Sequence, residues 1–389
     1  MYETLDTVTL RDGKKVEVGV VQAPDLEWSE RIEGFLGHQE DIWNWQNHKV
    51  LHCDLGIDVF FYILHLEGQP LSSMMSVECQ GVGIRAHVWT PPKERGNGAC
   101  SSLQTLQMEH FRSRGGRYLC LYTDYNSIPF HIYRRLGFHG VEPLGGHMQF
   151  LSLPKDQFTE SYFAVGETEI EPLSWRHWPN AAPLFMGEFP GRVRCAPLGL
   201  VGQQSSEYPL LEVLREAEQD KSGQPPRVAV LRNRATEAIV GLAAWSWHPR
   251  DQDACLVDVY CNPHYWDQAG DLLASLQIPE TARRFSYADS TCEQKAECLL
   301  AHGFRRTAAW SRFPVDLCRS PVNRFPETAL GGRVARTLWT LARAIDAPVS
   351  KCWRSLVEAT GARARIPAKW PRFPLTHQLY VNLSLYEKN

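Results

Sequence analysis

A strand, a glycine loop, a helix, a second strand and a second helix follow one another between Ala86 and Phe138. The loop runs Pro91-Pro92-Lys93-Glu94-Arg95-Gly96-Asn97-Gly98, and the second helix ends at Leu136-Gly137-Phe138. Closely spaced glycines let the backbone approach an anion, and the first N–H groups and dipole of the following helix favour negative charge there. Tyr133 stands four residues before Gly137, placed for proton chemistry. This order predicts an α/β unit built to hold a pyrophosphate.

The 389 residues suggest about two to three domains. Hydrophobic residues make up 43% and charged residues 22%, so folded units with real cores are expected. A net charge of -3 gives no general grip on nucleic acid, and none is expected as a partner. No apolar run reaches the roughly 18 residues of a membrane span. The N-terminal MYETLDTVTLRDGKK lacks the apolar core of an export signal, so a cytoplasmic address is expected. The 11 cysteines are scattered without a CxxC pair, which reads as free thiols and no metal. Cys292 and Cys298 lie near Glu293 and His302, but on one helix their spacing does not make a zinc site.

Strands are predicted at Lys15–Gln22, Asp58–Leu66, Leu71–Cys79, Gly83–Thr90, Tyr118–Thr123 and Met148–Leu153. Helices are predicted at Asp25–Gly37, Glu40–Leu51, Ser101–Arg114 and Ser127–Leu136. After a joint near Pro154–Gly166 the plan repeats. Strands follow at Thr168–Glu171, Arg227–Leu231, Ala238–Trp247, Cys255–Cys261 and Arg284–Tyr287, and helices at Trp175–Phe185, Tyr208–Gln219, Asp267–Leu276 and Glu293–Ala301. The halves end alike, in RRLGF and LAHGF, so an internal duplication is the economical reading. An amphipathic helix at Gly331–Ile345 and a closing strand at His377–Leu385 complete the expectation.

Lys93-Glu94-Arg95-Gly96-Asn97-Gly98 resembles the phosphate loop of the GCN5-related N-acetyltransferase (GNAT) superfamily, [Q/R]-x-x-G-x-[G/A]. Asn126, Tyr133, Gly137 and Phe138 match that superfamily's later signature. Lys93 departs from the usual Gln or Arg and lacks the planar fork. The resemblance implies an α/β (α+β) fold of two tandem GNAT-like domains, each a mixed, mostly antiparallel sheet flanked by helices. The first, residues 1–158, would carry an acyl-CoA site; the second, residues 159–389, would be a degenerate copy with a helical extension. It also implies that Val88, Trp89 and Thr90 hold the pantetheine arm, that Arg95, Gly96, Asn97, Gly98, Ala99 and Ser101 hold the pyrophosphate, and that Asn126 binds the arm or orients its helix. Tyr133 would protonate the departing thiolate.

An attacking amine must lose a proton, so a base is required. His87 on the motif strand and Glu78 before it are the candidates; Cys100 reads as packing. Trp43, Trp45, His48, His52 and Asp54 lie where the family often contacts an acceptor. In the second half, Asn262–Gly270 lacks paired glycines, Asp267 would repel an anion, and Leu299 replaces the tyrosine. The expectation is one site. It would move an acetyl group from acetyl-CoA, or another acyl from its CoA, to a small-molecule amine or other acceptor. Acyl-CoA decarboxylation, transfer to a thiol, and non-catalytic CoA binding are the alternatives.

Overall fold

The computed structural model describes residues 1–310 and 383–388, apart from 221–222, 224–225, 250, 252 and 280–282. The first half runs β1 (Tyr2–Thr9), β2 (Lys15–Ala23), α1 (Leu26–Leu36), α2 (Asp41–His52), β3 (Asp58–Leu66), β4 (Gln69–Cys79) and β5 (Val82–Trp89). Then come α3 (Ala99–Ser113), β6 (Tyr118–Tyr122), α4 (Ile128–Arg135), β7 (His139–Gly140), β8 (His147–Leu151) and α5 (Lys155–Tyr162). Asp25 starts α1 by accepting from the N–H groups of Glu27 and Trp28, each at 3.0 Å, the usual remedy for orphan donors at a helix start. β3 is apolar on both sides because both sides are covered. Phe61 and Ile63 share a core with α1 and α2, while Phe60, Tyr62 and Leu64 pack with Ala99 and Leu103 of α3.

The second half runs β9 (Thr168–Pro172), α6 (His177–Asn180), α7 (Ala182–Met186), β10 (Val193–Cys195), β11 (Leu200–Val201) and α8 (Glu207–Gln219). It continues through β12 (Val228–Asn233), β13 (Ile239–Trp247), β14 (Ala254–Cys261), α9 (Ala269–Ala274), β15 (Arg283–Asp289), α10 (Glu293–Ala301), β16 (Arg305–Trp310) and β17 (Leu383–Lys388). The first sheet has the order β1-β2-β3-β4-β5-β6-β8-β7 and the second β16-β17-β15-β14-β13-β12-β9. Each is antiparallel except at one pair, β5/β6 or β14/β15. Strand for strand, β9, β12, β13, β14, β15, β17 and β16 repeat β2 to β6, β8 and β7 in order and sense. The duplication is visible in the topology.

Some elements depart from the sequence reading. β1 is largely exposed and polar, so its pattern gave no buried face, yet it pairs along β2. The helix expected over Trp175–Phe185 is two short ones, and Pro183 lies in the first turn of the second, where its missing N–H is harmless. The segment expected to open the Asp267–Leu276 helix is instead a 3-10 turn over Pro263–Gln268. The joint at Pro154–Gly166 contains α5, whose Phe158 and Tyr162 enter a core shared by both sheets. The helix expected at 331–345, and the start of the strand expected from His377, lie outside the described residues. No helix among the described residues is long and apolar enough to cross a membrane.

Candidate active site

The parallel pair β5/β6 holds for three residues only, Val82↔Tyr118, Gly83↔Leu119 and Ile84↔Cys120. Beyond Ile84, β5 has no strand partner on its β6 side among the described residues. On its other side a bulge follows: Ala86 faces Met75 and Trp89 faces Ser73, so His87 and Val88 together oppose Met74. His87 takes the left-handed φ of 53° that the extra residue requires. β5 has already left β6 before this bulge, so the backbone of Arg85–Thr90 forms one wall of a gap on that side.

The glycine loop closes the end of that gap. After a 3-10 turn over Pro92–Glu94, Gly96 and Gly98 adopt φ of 85° and 91°. A Cβ at either would meet nothing within 4 Å, so the backbone conformation, not space, demands glycine. Gly98 stands at the N-cap of α3 and offers no side-chain cap, so the first N–H groups of α3, among them Ala99, Cys100 and Ser101, remain open for an anion. The loop is braced by the β1–β2 turn. Arg11 N donates to Asn97 O at 3.0 Å, Arg11 Nη1 to Gly96 O at 3.2 Å, and Asn97 Nδ2 to Asp12 Oδ2 at 3.3 Å. Arg95 folds back, with Nε donating to Thr90 O at 2.9 Å and its guanidinium 5.3 Å from the Trp89 ring. Thr90 Oγ1 lies 2.7 Å from Ser72 Oγ.

Behind the gap, α4 packs on the sheet through Phe130 and Tyr133, with Phe138 and Phe150. Ser127 caps it by accepting from Phe130 N at 3.3 Å. Asn126, at φ 59°, has its Oδ1 2.9 Å from His131 Nε2. Tyr133 is buried, and burial raises its pKa, so it stays protonated and can act as an acid. The guanidinium of Arg85 lies 5.1 Å from its ring and 5.6 Å from that of Phe138. Arg85 is itself buried. Its Nη2 reaches only Met74 Sδ, at 3.3 Å, and its Nε and Nη1 find no partner among the described residues. Burial raises the Cys100 thiol, which accepts from Gln104 Nε2 at 3.0 Å, so the packing reading suits it better than a nucleophile.

Neither base candidate is suited to that task. Glu78 pairs with Gly83, four residues or about 14 Å along the strand from His87. It is buried and gripped by Arg114, whose Nη1 and Nη2 each donate at 2.9 Å, while Ser76 Oγ donates at 2.7 Å. It is a structural ion pair. His87 lies on the stretch of β5 beyond the parallel pair, but its side chain meets α2: Nε2 donates to Gln46 Oε1 at 2.6 Å and Trp43 packs edge-on at 5.5 Å. Burial lowers its pKa to about 3, so the ring is neutral and a feeble proton acceptor. Of the expected acceptor contacts, only Trp43 reaches this place. Trp45 stacks on Trp175 of the second half at 5.4 Å, Asp54 accepts from Gly56 N at 3.0 Å, and His48 and His52 turn to Glu33.

The second half brings its Ser205–Tyr208 segment up to α2 and β6, a neighbour that no motif in the sequence marks. Trp43 also meets Tyr208, at 5.7 Å, and the preceding residue, Glu207, is buried with a carboxyl pushed up to about 8 by desolvation alone. Ser205 joins this segment to β6 and β8, its Oγ 4.0 Å from Cys120 Sγ and its N–H donating to His147 Nδ1 at 3.3 Å. A glutamate in EYPLLEVL reads as the acidic first turn of an amphipathic helix, so no local signal marks it.

A mostly antiparallel sheet with one parallel pair of three residues, a bulge on the strand beyond it and an uncapped helix start after paired glycines is a distinctive combination. The fold is GNAT-like. No family model matches the sequence, and no curated protein matches it. Solved structures that are similar in part include the GNAT domain of S. lividans PAT (16% identity, TM-score 0.30, 38% of this chain and 96% of that one). Another is the PaiA N-acetyltransferase of Thermoplasma acidophilum in complex with coenzyme A (12%, TM-score 0.27, 34% and 98%). A third is an N-acetyltransferase of Staphylococcus aureus Mu50 (8%, TM-score 0.33, 58% and 99%).

The second GNAT-like sheet also parts, after Leu256↔Phe285. There the chain fills its own gap. β10 packs against both β14 and β15, with Val193 and Cys195 fully buried. Asp289 Oδ2 accepts from Arg192 N and Val193 N at 2.7 and 2.8 Å, and Asp258 Oδ2 from Ala196 N at 2.8 Å. Lys295, ion-paired with Asp258 at 2.6 Å, donates to Val193 O at 2.8 Å. Leu299 is buried at the place of Tyr133.

Proposed function

We propose that the chain is an acyl-CoA-dependent N-acyltransferase with one acyl-CoA site, in residues 1–158, using acetyl-CoA first among acyl-CoAs. The observation that carries this reading is the bulged β5, parted from β6 beside the open N-terminus of α3. An extended pantetheine arm pairs along Val88, Trp89 and Thr90 as an added strand would. Its pyrophosphate rests on the backbone from Arg95 to Ala99 and on Ser101, with Arg11 and Lys93 supplying positive charge. Asn126 orients α4 and borders the arm.

The acceptor is a small-molecule amine entering between α2 and the Ser205–Tyr208 segment. Its nitrogen attacks the thioester carbonyl, and a backbone N–H of β5 steadies the oxyanion. The C–S bond breaks and the thiolate takes the proton of Tyr133, while the amine's proton passes to the Glu207 carboxylate. A pKa near 8 gives Glu207 the basicity that burial takes from His87, while Glu78 is held by Arg114. The second half, residues 159–389, thus walls the acceptor side and binds no cofactor. A cytoplasmic setting suits its free thiols.

Thermal melting with acetyl-CoA, followed by mass spectrometry of an amine mixture, tests the reading. A raised melting temperature and an amine gaining one acetyl group are expected. Failure of any acyl-CoA to shift melting overturns the cofactor assignment. Release of carbon dioxide from malonyl-CoA without an amine overturns the reaction.

A further inference from the structure

His48 and His52 stand one turn apart on α2, so both imidazoles project from the same helix face. Glu33 reaches them from α1. Its Oε1 lies 2.9 Å from His48 Nδ1 and 3.2 Å from His52 Nε2, and the rings are 4.3 Å apart. One donor atom from each residue lies within 4.8 Å of the other two. A zinc ion with ligand bonds of about 2.0–2.2 Å needs its ligand atoms roughly 3.3–3.5 Å apart in a tetrahedron. Both oxygen–nitrogen edges therefore need only small side-chain adjustments. One carboxylate and two imidazoles also make a suitable donor set for a borderline divalent cation, leaving a fourth position to water.

We propose that Glu33, His48 and His52 form a zinc-binding site that clasps α1 to α2. This departs from the sequence expectation of no metal, and it stands whether or not the acyl-transfer reading holds. The consequence runs inward. α2 turns these histidines outward while its other side carries Gln46 and Trp43 onto His87. An ion fixing the α1–α2 pair thus fixes one wall of the gap beside β5. Metal occupancy and the position of that wall are coupled.

The test is a calorimetric titration of the full chain with zinc chloride at neutral pH, repeated with cobalt(II) and read by visible absorption. One ion per chain, a tetrahedral cobalt spectrum without a thiolate charge-transfer band, and a higher melting temperature with zinc are expected. Glu33→Gln, His48→Ala and His52→Ala should each weaken binding at least about tenfold. All three lie at or near the surface, so circular dichroism should show the folds unchanged. No stoichiometric binding overturns the proposal. Undiminished binding in a His48→Ala/His52→Ala double variant also overturns it, as does a thiolate band, since either would place the ion on the free cysteines.

Discussion

The guanidinium of Arg85 faces the ring of Tyr133 at 5.1 Å, and among the described residues no carboxylate pairs with it. A buried cation without an anion is normally unfavourable. In the proposed reaction an anion forms close by, as thiolate or phenolate, so the positive charge favours the transition state over the resting protein. Arg85→Met should then be at least as stable as the parent in urea denaturation while acyl transfer falls. A stability loss above about 2 kcal/mol would mean that Arg85 serves the resting fold.

Tyr133→Phe keeps the ring and its packing and removes only the proton. Turnover should fall by about 10²–10⁴-fold, with the acetyl-CoA melting shift retained. Unchanged turnover would remove Tyr133 as the acid.

Glu207 sets a distinctive pH dependence. Its carboxyl titrates near 8 when folded, against an ordinary 4.5. Between those values the folded chain holds a proton that the unfolded chain has released, so this group lowers stability as pH rises from 4.5 to about 8, with no further change above. Glu207→Gln should flatten that slope and gain on the order of a few kcal/mol at the alkaline end. His87, His147 and His177 act oppositely. Burial lowers their pKa values to about 3, 4 and 4, so their contribution is lost as pH falls from 6.5 toward those values. Between 4.5 and 6.5 the two effects oppose each other, so urea midpoints above pH 6.5 report Glu207 and those below 4.5 report the histidines.

Glu78→Ala leaves Arg114 without its carboxylate. A loss of about 2–4 kcal/mol in stability is expected, with the acetyl-CoA melting shift intact. Retained stability with lost turnover would return Glu78 to the catalytic candidates.

Gly98→Ala forces an alanine to φ of 91° at the N-cap of α3. It should destabilise by about 1–2 kcal/mol and weaken acetyl-CoA binding, measured by calorimetry. The same titration on the parent should count one acetyl-CoA per chain, because β10 fills the second gap.

The sheet and the loop were legible because periodicity and glycine placement are local. β3 matched its predicted bounds, Asp58–Leu66, and Gly96 and Gly98 took the left-handed angles that loops of this kind demand. The proposed proton acceptor was not legible. Glu78 and His87 are adjacent to the motif in sequence, but burial, Arg114 and Gln46 decide their chemistry, and those partners come from other elements. Glu207 is 74 residues beyond Tyr133 and acquires its character only from the core that encloses it. β10 was also hidden, since three residues carry no periodic pattern.

The segment that fills the second gap is also a tether. From Cys195 the chain passes through β11 and arrives, within a dozen residues, at Ser205 and Glu207 beside β6. The anchors Asp258, Asp289 and Lys295 therefore hold one end of the strap whose other end borders the first gap. Loosening them would be felt at Ser205 and Glu207, so the second sheet helps set the position of a segment packed on the first.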